Sequence, residues 1–332
     1  MRLMMTKAKP IQGKYPVSKE HKFDAFIFDI DNVLIDTRHS YLESIIKTIE
    51  VYLTHGQIPF FSGSKGAGKK PILTLEDIDE FKMLGGFNDD WDCTYGLLIY
   101  LLSLPVKKRT LEDLRTKVAM SAFVKKVKTR PLGTNGITDM LGSHPGIKIE
   151  RIGRIFQEIY LGKGLFTQTE KTRPFFWKKR GLMDREKLIF RPQLLQKIKE
   201  SGVKLGIATG RPRFEAIYAL RKFEVLEYFD AITTMDEVKA AEQAQKKSLR
   251  KPHPFSLIES AKKIGLKKKF LYIGDLPDDM LAANTAKKEI NICSAGFPLF
   301  SANPFHAQQE LKKADADFLL QHPHDLLKLA GL

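Results

Sequence analysis

Phe23-Asp24-Ala25-Phe26-Ile27-Phe28 runs directly into Asp29-Ile30-Asp31-Asn32. The first six residues are mostly apolar and rich in aromatics, which predicts a short buried strand. The run stops abruptly at two carboxylates one residue apart. Upstream, residues 1–22 are polar, hold Pro10 and Pro16, and carry six bases against one acid, so they read as a loose basic tail. Downstream, Leu42, Ile45, Ile46, Ile49 and Leu53 fall at helical spacing within residues 39–55.

A lone strand needs partners, and the next convincing ones come only near residue 204. From about residue 190 strands and helices alternate. Strands are expected at 204–208, 231–235, 270–273, 290–294 and 317–320. Helices fit around Leu194, Leu195 and Ile198, after Pro212, over 255–264 before Gly265, and over 280–288. This alternation implies a parallel sheet with helices on both faces. The expected fold is therefore a three-layer, Rossmann-like α/β core made of residues 23–37 plus 190–332. Residues 38–189 become a large, mainly helical insertion after the first strand. Within it, residues 95–106 suggest a buried helix, 111–123 one amphipathic helix, 152–159 another, and the Gly/Pro-rich 132–146 a connection. In open parallel sheets ligands gather at the carboxyl ends of the strands. Here that means just after Phe28, Ala208 and Ile273.

Composition narrows the class. With 332 residues, 43% hydrophobic and 28% charged, the chain reads as a soluble protein with room for a sizeable core. Cys93 and Cys293 are too few and too far apart for a disulfide framework or a cysteine-based zinc cluster, which suits a reducing cytoplasm. The apolar run 95–106 is too short to span a bilayer, and the N-terminus lacks the apolar stretch of a secretory signal. The net charge of +16 invites the thought of nucleic acid. No aromatic residues interleave with bases as a stacking platform would require, so mild steering of anionic substrates is the favoured reading.

The strand ends collect chemistry. Asp29 and Asp31, then Thr209, then Asp275, Asp278 and Asp279 converge there, with Lys251 in Lys251-Pro252-His253-Pro254 entering from the preceding helix start. So many carboxylates do not stay ionised together without a cation, and an oxygen-rich donor set points to Mg²⁺ rather than zinc.

Four segments in order resemble the four motifs of the haloacid dehalogenase-like (HAD) hydrolase superfamily. They are Phe28-Asp29-Ile30-Asp31-Asn32-Val33-Leu34-Ile35-Asp36-Thr37, Ile207-Ala208-Thr209-Gly210-Arg211-Pro212, Lys251 with its Pro-His-Pro, and Gly274-Asp275-Leu276-Pro277-Asp278-Asp279. The insertion resembles the family's helical type-1 cap, as in phosphoglycolate-phosphatase-like members. The resemblance implies that Asp29 is the nucleophile and Asp31 the general acid and base. It implies Mg²⁺ held by Asp29, the backbone carbonyl of Asp31, and Asp275. Thr209 and Gly210 bind the phosphoryl group, and Lys251 neutralises charge on it and on Asp29. Asp279 orders a metal-bound water or holds Lys251, and Asp278 could share that role. An Asp two residues after the nucleophile argues for phosphoryl transfer over dehalogenation, because halide leaves without a proton. Asn32 stands where many members have Gly, and Asn tolerates unusual backbone angles.

In the insertion, Gly63-Ser64-Lys65-Gly66-Ala67-Gly68-Lys69-Lys70 nearly spells a P-loop, but Lys70 replaces the required Ser or Thr. It reads as a basic loop. Gly85-Gly86-Phe87-Asn88-Asp89-Asp90-Trp91-Asp92 is a candidate specificity loop, with Asn88, Asp89 or Trp91 touching substrate; a helix cap with a core Trp is the equal alternative. Arg173, Trp177 and Lys178 form a basic-aromatic group that either faces the same pocket or, the favoured reading, lies on a solvated surface. Arg211 either reaches a phosphate or pairs with a carboxylate. The function expected is Mg²⁺-dependent hydrolysis of a small phosphorylated metabolite through an aspartyl-phosphate. The alternatives are a sugar-phosphate mutase, a nucleic-acid end phosphatase, and a non-catalytic phosphate-binding protein.

Overall fold

The computed structural model describes residues 22–55, 70–107, 110–128 and 130–332. The basic tail up to residue 21 and the Gly/Lys loop up to residue 69 lie outside the described residues. Six parallel strands form one sheet in the order β5-β4-β1-β6-β7-β8. They are β1 (Ala25–Phe28), β4 (Lys204–Ala208), β5 (Ala231–Thr233), β6 (Phe270–Gly274), β7 (Ile292–Gly296) and β8 (Phe318–Leu319). Two further strands, β2 (Ile35–Asp36) and β3 (Lys187–Leu188), pair antiparallel in a separate ribbon.

All four residues of β1 are buried, as befits a strand covered on both faces. Its alternation divides the core. Phe26 and Phe28 join the large cluster that includes Leu205, Ile207, Leu271 and Ile273 and continues into the helical insertion. Ala25 and Ile27 pack on the other face with Phe270, Tyr272, Leu257 and Ala261. Phe28 lies level with both Ile207 and Ile273. The residues after these three positions therefore leave the sheet at the same height, and their polar side chains meet there.

Among the described residues the insertion holds seven α-helices: Glu43–Thr54, Leu75–Lys82, Asp90–Ser103, Leu111–Lys117, Met120–Lys126, Gly133–Leu141 and Ile149–Glu170. The β2–β3 ribbon brings the two ends of this segment together. Several sequence expectations need correction. Residues 132–146 hold the helix Gly133–Leu141, which buries Ile137 and ends at Gly142, rather than a bare connection. The single helix expected over 111–123 is two, because Val118 is extended, Ala119 is non-helical, and the Ala119 N–H donates to the Tyr100 hydroxyl. Strand β5 stops at Thr233, since Thr234 and Glu237 form a capping box that starts the helix Met235–Gln245. The expected strand 290–294 begins two residues later, and the expected helix 280–288 begins earlier, at Pro277. Among the described residues no helix is long and apolar enough to cross a membrane.

Candidate active site

Asp29 opens the site. It follows β1 directly, and its backbone N–H still donates to Ile273 in the ladder, at 2.9 Å. Its Oδ1 accepts the Ile30 N–H at 2.7 Å, which fixes the carboxylate, and its Oδ2 accepts Lys251 Nζ at 2.9 Å. The same ammonium lies 2.9 Å from Asp279 Oδ1. Tyr272 OH also donates to Asp279 Oδ1, at 2.8 Å, and the N–H groups of Asp275 and Leu276 donate to its Oδ2. Asp279 can fold back over the strand end only because residue 274 is glycine. A Cβ there would lie 2.4 Å from that of Asp279. Lys251 is thus clamped between two carboxylates. Burial alone would lower its pKa, but Asp279 and Asp29 outweigh it and push it up.

Asp275 differs from its neighbours. Among the described residues, its Oδ2 accepts only the neutral amide of Asn32, at 3.2 Å. Asn32 reaches it from a left-handed backbone conformation (φ 53°), the departure that asparagine tolerates at this position. Burial, reinforced by Asp279 and Asp29, drives the Asp275 pKa well above the ordinary range. Burial likewise raises Asp29 to about 6, with Asp279 and Asp31 adding to the rise and Lys251 opposing it. Oxygen atoms of Asp29, Asp275 and Asp279 all lie within 4.8 Å of one another. One lysine cannot neutralise three buried carboxylates, and no His or Cys belongs to the group. This donor set fits a hard divalent cation such as Mg²⁺. Asp279 already has its lone pairs engaged, so Asp29 and Asp275 are the carboxylates with capacity to hold it.

The carboxylate of Asp31 lies outside that cluster. Its Oδ1 accepts Nε and Nη2 of Arg211 at 2.9 and 2.7 Å. Arg211 therefore pairs with a carboxylate instead of standing free for a phosphate. Thr209 is buried, and its Oγ1 accepts the Arg211 N–H at 3.2 Å, which leaves the hydroxyl proton to donate. Asp278 turns away from the lysine. Its Oδ2 accepts the Gly86 N–H of the insertion at 2.9 Å, and burial raises its pKa to about 7.

Two adjoining cavities of about 80 and 220 Å³ lie beyond these groups. Asp29 and Asp31 line the first, Thr209 and Lys251 the second, and Gly210, Asn88, Asp89, Met235 and Arg250 line both. Their size suits a small ligand. The Gly85–Asp92 stretch starts a helix and also borders the cavities. Asp89 caps the helix Asp90–Ser103 through the N–H groups of Trp91 and Asp92, and it also lines the cavities. Trp91 faces Gly153 on one side while lining the first cavity. Arg173 and Lys178 are exposed, and neither they nor Trp177 lines either cavity.

Sequence reasoning missed several members. Arg250 sits beside Lys251 and bonds Asp89 Oδ2 at 2.7 Å, tying the sheet half to the insertion. Its place next to the third motif was the available signal. Lys82 bonds Asp90 at 2.7 Å within the insertion and lines a small enclosed space with Asp29 and Asp275. Glu186, Tyr41, Tyr160 and Glu215 belong to no motif and gave no local signal.

The family model for haloacid dehalogenase-like hydrolases matches residues 23–287. The chain belongs to this family. Among curated relatives of this hydrolase, pyrophosphatase PpaX of Halalkalibacterium halodurans is 26% identical over 141 residues, 42% of this chain and 58% of the relative. The putative pyrophosphatase PpaX of Caldanaerobacter subterraneus subsp. tengcongensis is 26% identical over 138 residues, 41% of this chain and 55% of the relative. The chain thus spans little more than half the length of these curated relatives. Among solved structures, phosphatase Tt82 from Thermococcus thioreducens aligns with a TM-score of 0.53 at 23% identity, covering 86% of this chain and 98% of that one. A putative phosphoglycolate phosphatase from Lactobacillus delbrueckii subsp. bulgaricus aligns with a TM-score of 0.55 at 15% identity, covering 93% and 98%. At such identities these two share the fold of this HAD hydrolase.

Proposed function

We propose that the protein is a Mg²⁺-dependent phosphatase that hydrolyses a small phosphomonoester through an aspartyl-phosphate, with residues 38–189 acting as a cap over residues 23–37 and 190–332. The observation that carries the reading is Lys251 Nζ, buried 2.9 Å from both Asp29 and Asp279, beside one cavity lined by Asp29 and Asp31 and an adjoining one lined by Thr209. A fixed ammonium and a hydroxyl donor at a strand end are suited to the charge on a transferring phosphoryl group.

In the first step an Asp29 oxygen bonds to phosphorus, and the bond from phosphorus to the leaving oxygen breaks with its electron pair. A proton held on Asp31 passes to that oxygen. In the second step the Asp31 carboxylate takes a proton from water as the water oxygen bonds to phosphorus and Asp29 is released. Thr209 donates to a phosphoryl oxygen, and Lys251 balances charge on Asp29 throughout. Asp29 and Asp275, with the Asp31 carbonyl, would hold Mg²⁺, which would supply further positive charge at the phosphoryl group. The cap determines which leaving groups fit.

Phosphate release from a panel of phosphomonoesters and inorganic pyrophosphate tests this reading. Activity is expected with Mg²⁺, is expected to vanish with EDTA, and is expected to fall at least roughly 10³-fold in Asp29→Asn. Release that survives both EDTA and Asp29→Asn would sink the mechanism. Inorganic pyrophosphate turned over well ahead of every monoester would shift the substrate class towards the function carried in the names of the curated relatives.

A further inference from the structure

Glu186 stands in the return from the insertion to the sheet, just before β3, and is buried. Its carboxylate accepts Arg211 Nη2 at 2.9 Å and Nη1 at 3.3 Å, Tyr160 OH at 2.8 Å and Ser40 Oγ at 3.2 Å. These donors come from three places: the second motif, the long helix Ile149–Glu170, and the turn at residues 38–42. Arg211 turns its remaining edge to Asp31. Its side chain is fully buried, and its guanidinium lies 5.0 Å from the centre of the Tyr41 ring. The planar, forked cation can hold two carboxylates in fixed relation, which a flexible ammonium does not do.

Asp31 needs such a support. Its side chain is 31% exposed, in a loop beyond the sheet. Both guanidinium bonds fall on Oδ1, which leaves Oδ2 to meet the leaving oxygen. We propose that Glu186 and Arg211 are positioning residues that hold Asp31 in line for proton transfer. Because Glu186, Tyr160 and Ser40 all come from the insertion and its two links to the sheet, the docked insertion sets the acid in place. This role rests on the phosphatase reading above. It deepens that reading by making proton delivery, rather than nucleophilic attack, the step that depends on the insertion.

The role has a signature that plain structural support lacks. p-Nitrophenolate leaves readily without a proton, whereas an alkoxide needs one. In Glu186→Gln, kcat/KM for glycerol phosphate is expected to fall roughly 10–100-fold, within the range of general acid catalysis. The fall for p-nitrophenyl phosphate should stay within about threefold. Arg211→Lys should show the same selectivity, and Glu186→Asp should recover part of the loss. Circular dichroism confirms that each variant folds. Should Glu186→Gln fail to fold, Tyr160→Phe and Ser40→Ala each remove one donor and are expected to show the same selectivity at smaller size. Equal losses on the two substrates, or no loss on either, would overturn the positioning role while leaving the phosphatase reading intact. A wild-type protein that releases phosphate from neither ester with Mg²⁺ present would remove the phosphatase reading, and this role with it.

Discussion

Asp29 and Asp31 are separated by one residue, yet their carboxylates enter different networks. Asp29 meets Asp275 just after β6, Asp279 in the first turn of the helix Pro277–Ala286, and Lys251 in the turn before the helix Phe255–Ile264. Every member of that group belongs to the sheet half of the chain. Asp31 meets Arg211 and, through it, Glu186, Tyr160, Ser40 and Tyr41, most of which belong to the insertion or its links. Tyr41 extends the network further, because its hydroxyl donates to Glu215 at 2.5 Å and Gln157 donates to the same carboxylate. The hydrogen bonds and ion pairs on that side of the site are therefore made within the sheet half, with Lys82 of the insertion facing the same space as Asp29 and Asp275. The other exists only where two parts of the chain meet. Under the proposed mechanism, attack at Asp29 and proton transfer at Asp31 would rest on different structural dependencies.

The most severe way to break the first network is to remove its least compensated member. Asp275→Asn keeps the shape and deletes one negative charge from the cation site. Turnover is expected to fall roughly 10³-fold or more, in line with the loss of preorganised charge stabilisation. The binding readout is separate from activity. Mg²⁺ at about 100 times its dissociation constant is expected to stabilise the wild type by roughly 3 kcal/mol. Thermal unfolding with and without Mg²⁺ should show that shift, and Asp275→Asn should erase it. A variant that kept the full shift would place the cation elsewhere.

The seam between the two halves can be tested at Gly86. Its φ is +76°, and a Cβ there would lie 2.7 Å from the backbone of Gly133. Its N–H also donates to Asp278, so the turn ties the insertion to the helix that begins with Pro277. Gly86→Ala combines a left-handed penalty with a backbone clash, for a loss of roughly 2–4 kcal/mol by chemical denaturation. A loss below about 0.5 kcal/mol would show that the turn relaxes freely and does not hold the insertion in place.

The same division explains what could be read from sequence. The strand-end network was legible because each member sits in a short local pattern: Asp29 after an apolar run, Thr209 after β4, Asp275 in Gly-Asp. The register that brings them together follows from strand alternation alone. The division of labour between Asp278 and Asp279 was left open, because both fall in the first turn of one helix. It is decided by Gly274, whose missing Cβ admits Asp279. Glu186 was illegible for a different reason. It is one acid among many, separated by 25 positions from Arg211 and by 146 from Ser40, and no local pattern announces a contact made by docking. The helix at Gly133–Leu141 was missed because its glycines argue locally for a loop, while its helical state is supported by packing on the helix Asp90–Ser103.

Glu215 offers the gentlest test of the composite side. Burial raises its pKa from 4.5 to about 7, with the hydroxyl of Tyr41, the amide of Gln157 and the charge of Arg211 only partly opposing the rise. The folded protein therefore keeps a proton on Glu215 that the unfolded chain releases near pH 4.5. Stability from this group is full below pH 4.5 and is lost as pH climbs towards about 7, because ionising the buried carboxylate costs the folded state alone. Glu215→Gln stays neutral throughout and escapes that loss. Other raised carboxylates, Asp29 and Asp278 among them, slope the same way but are common to both proteins and cancel in the difference. Denaturation of wild type and Glu215→Gln at pH 5 and pH 8 should show the variant gaining on the wild type by roughly 1–3 kcal/mol across the interval. A constant difference at both pH values would mean that Glu215 is ionised in the folded state even at pH 5. Arg211 would then serve three carboxylates instead of two, and the sharp separation between the Asp31 support and its surroundings would dissolve.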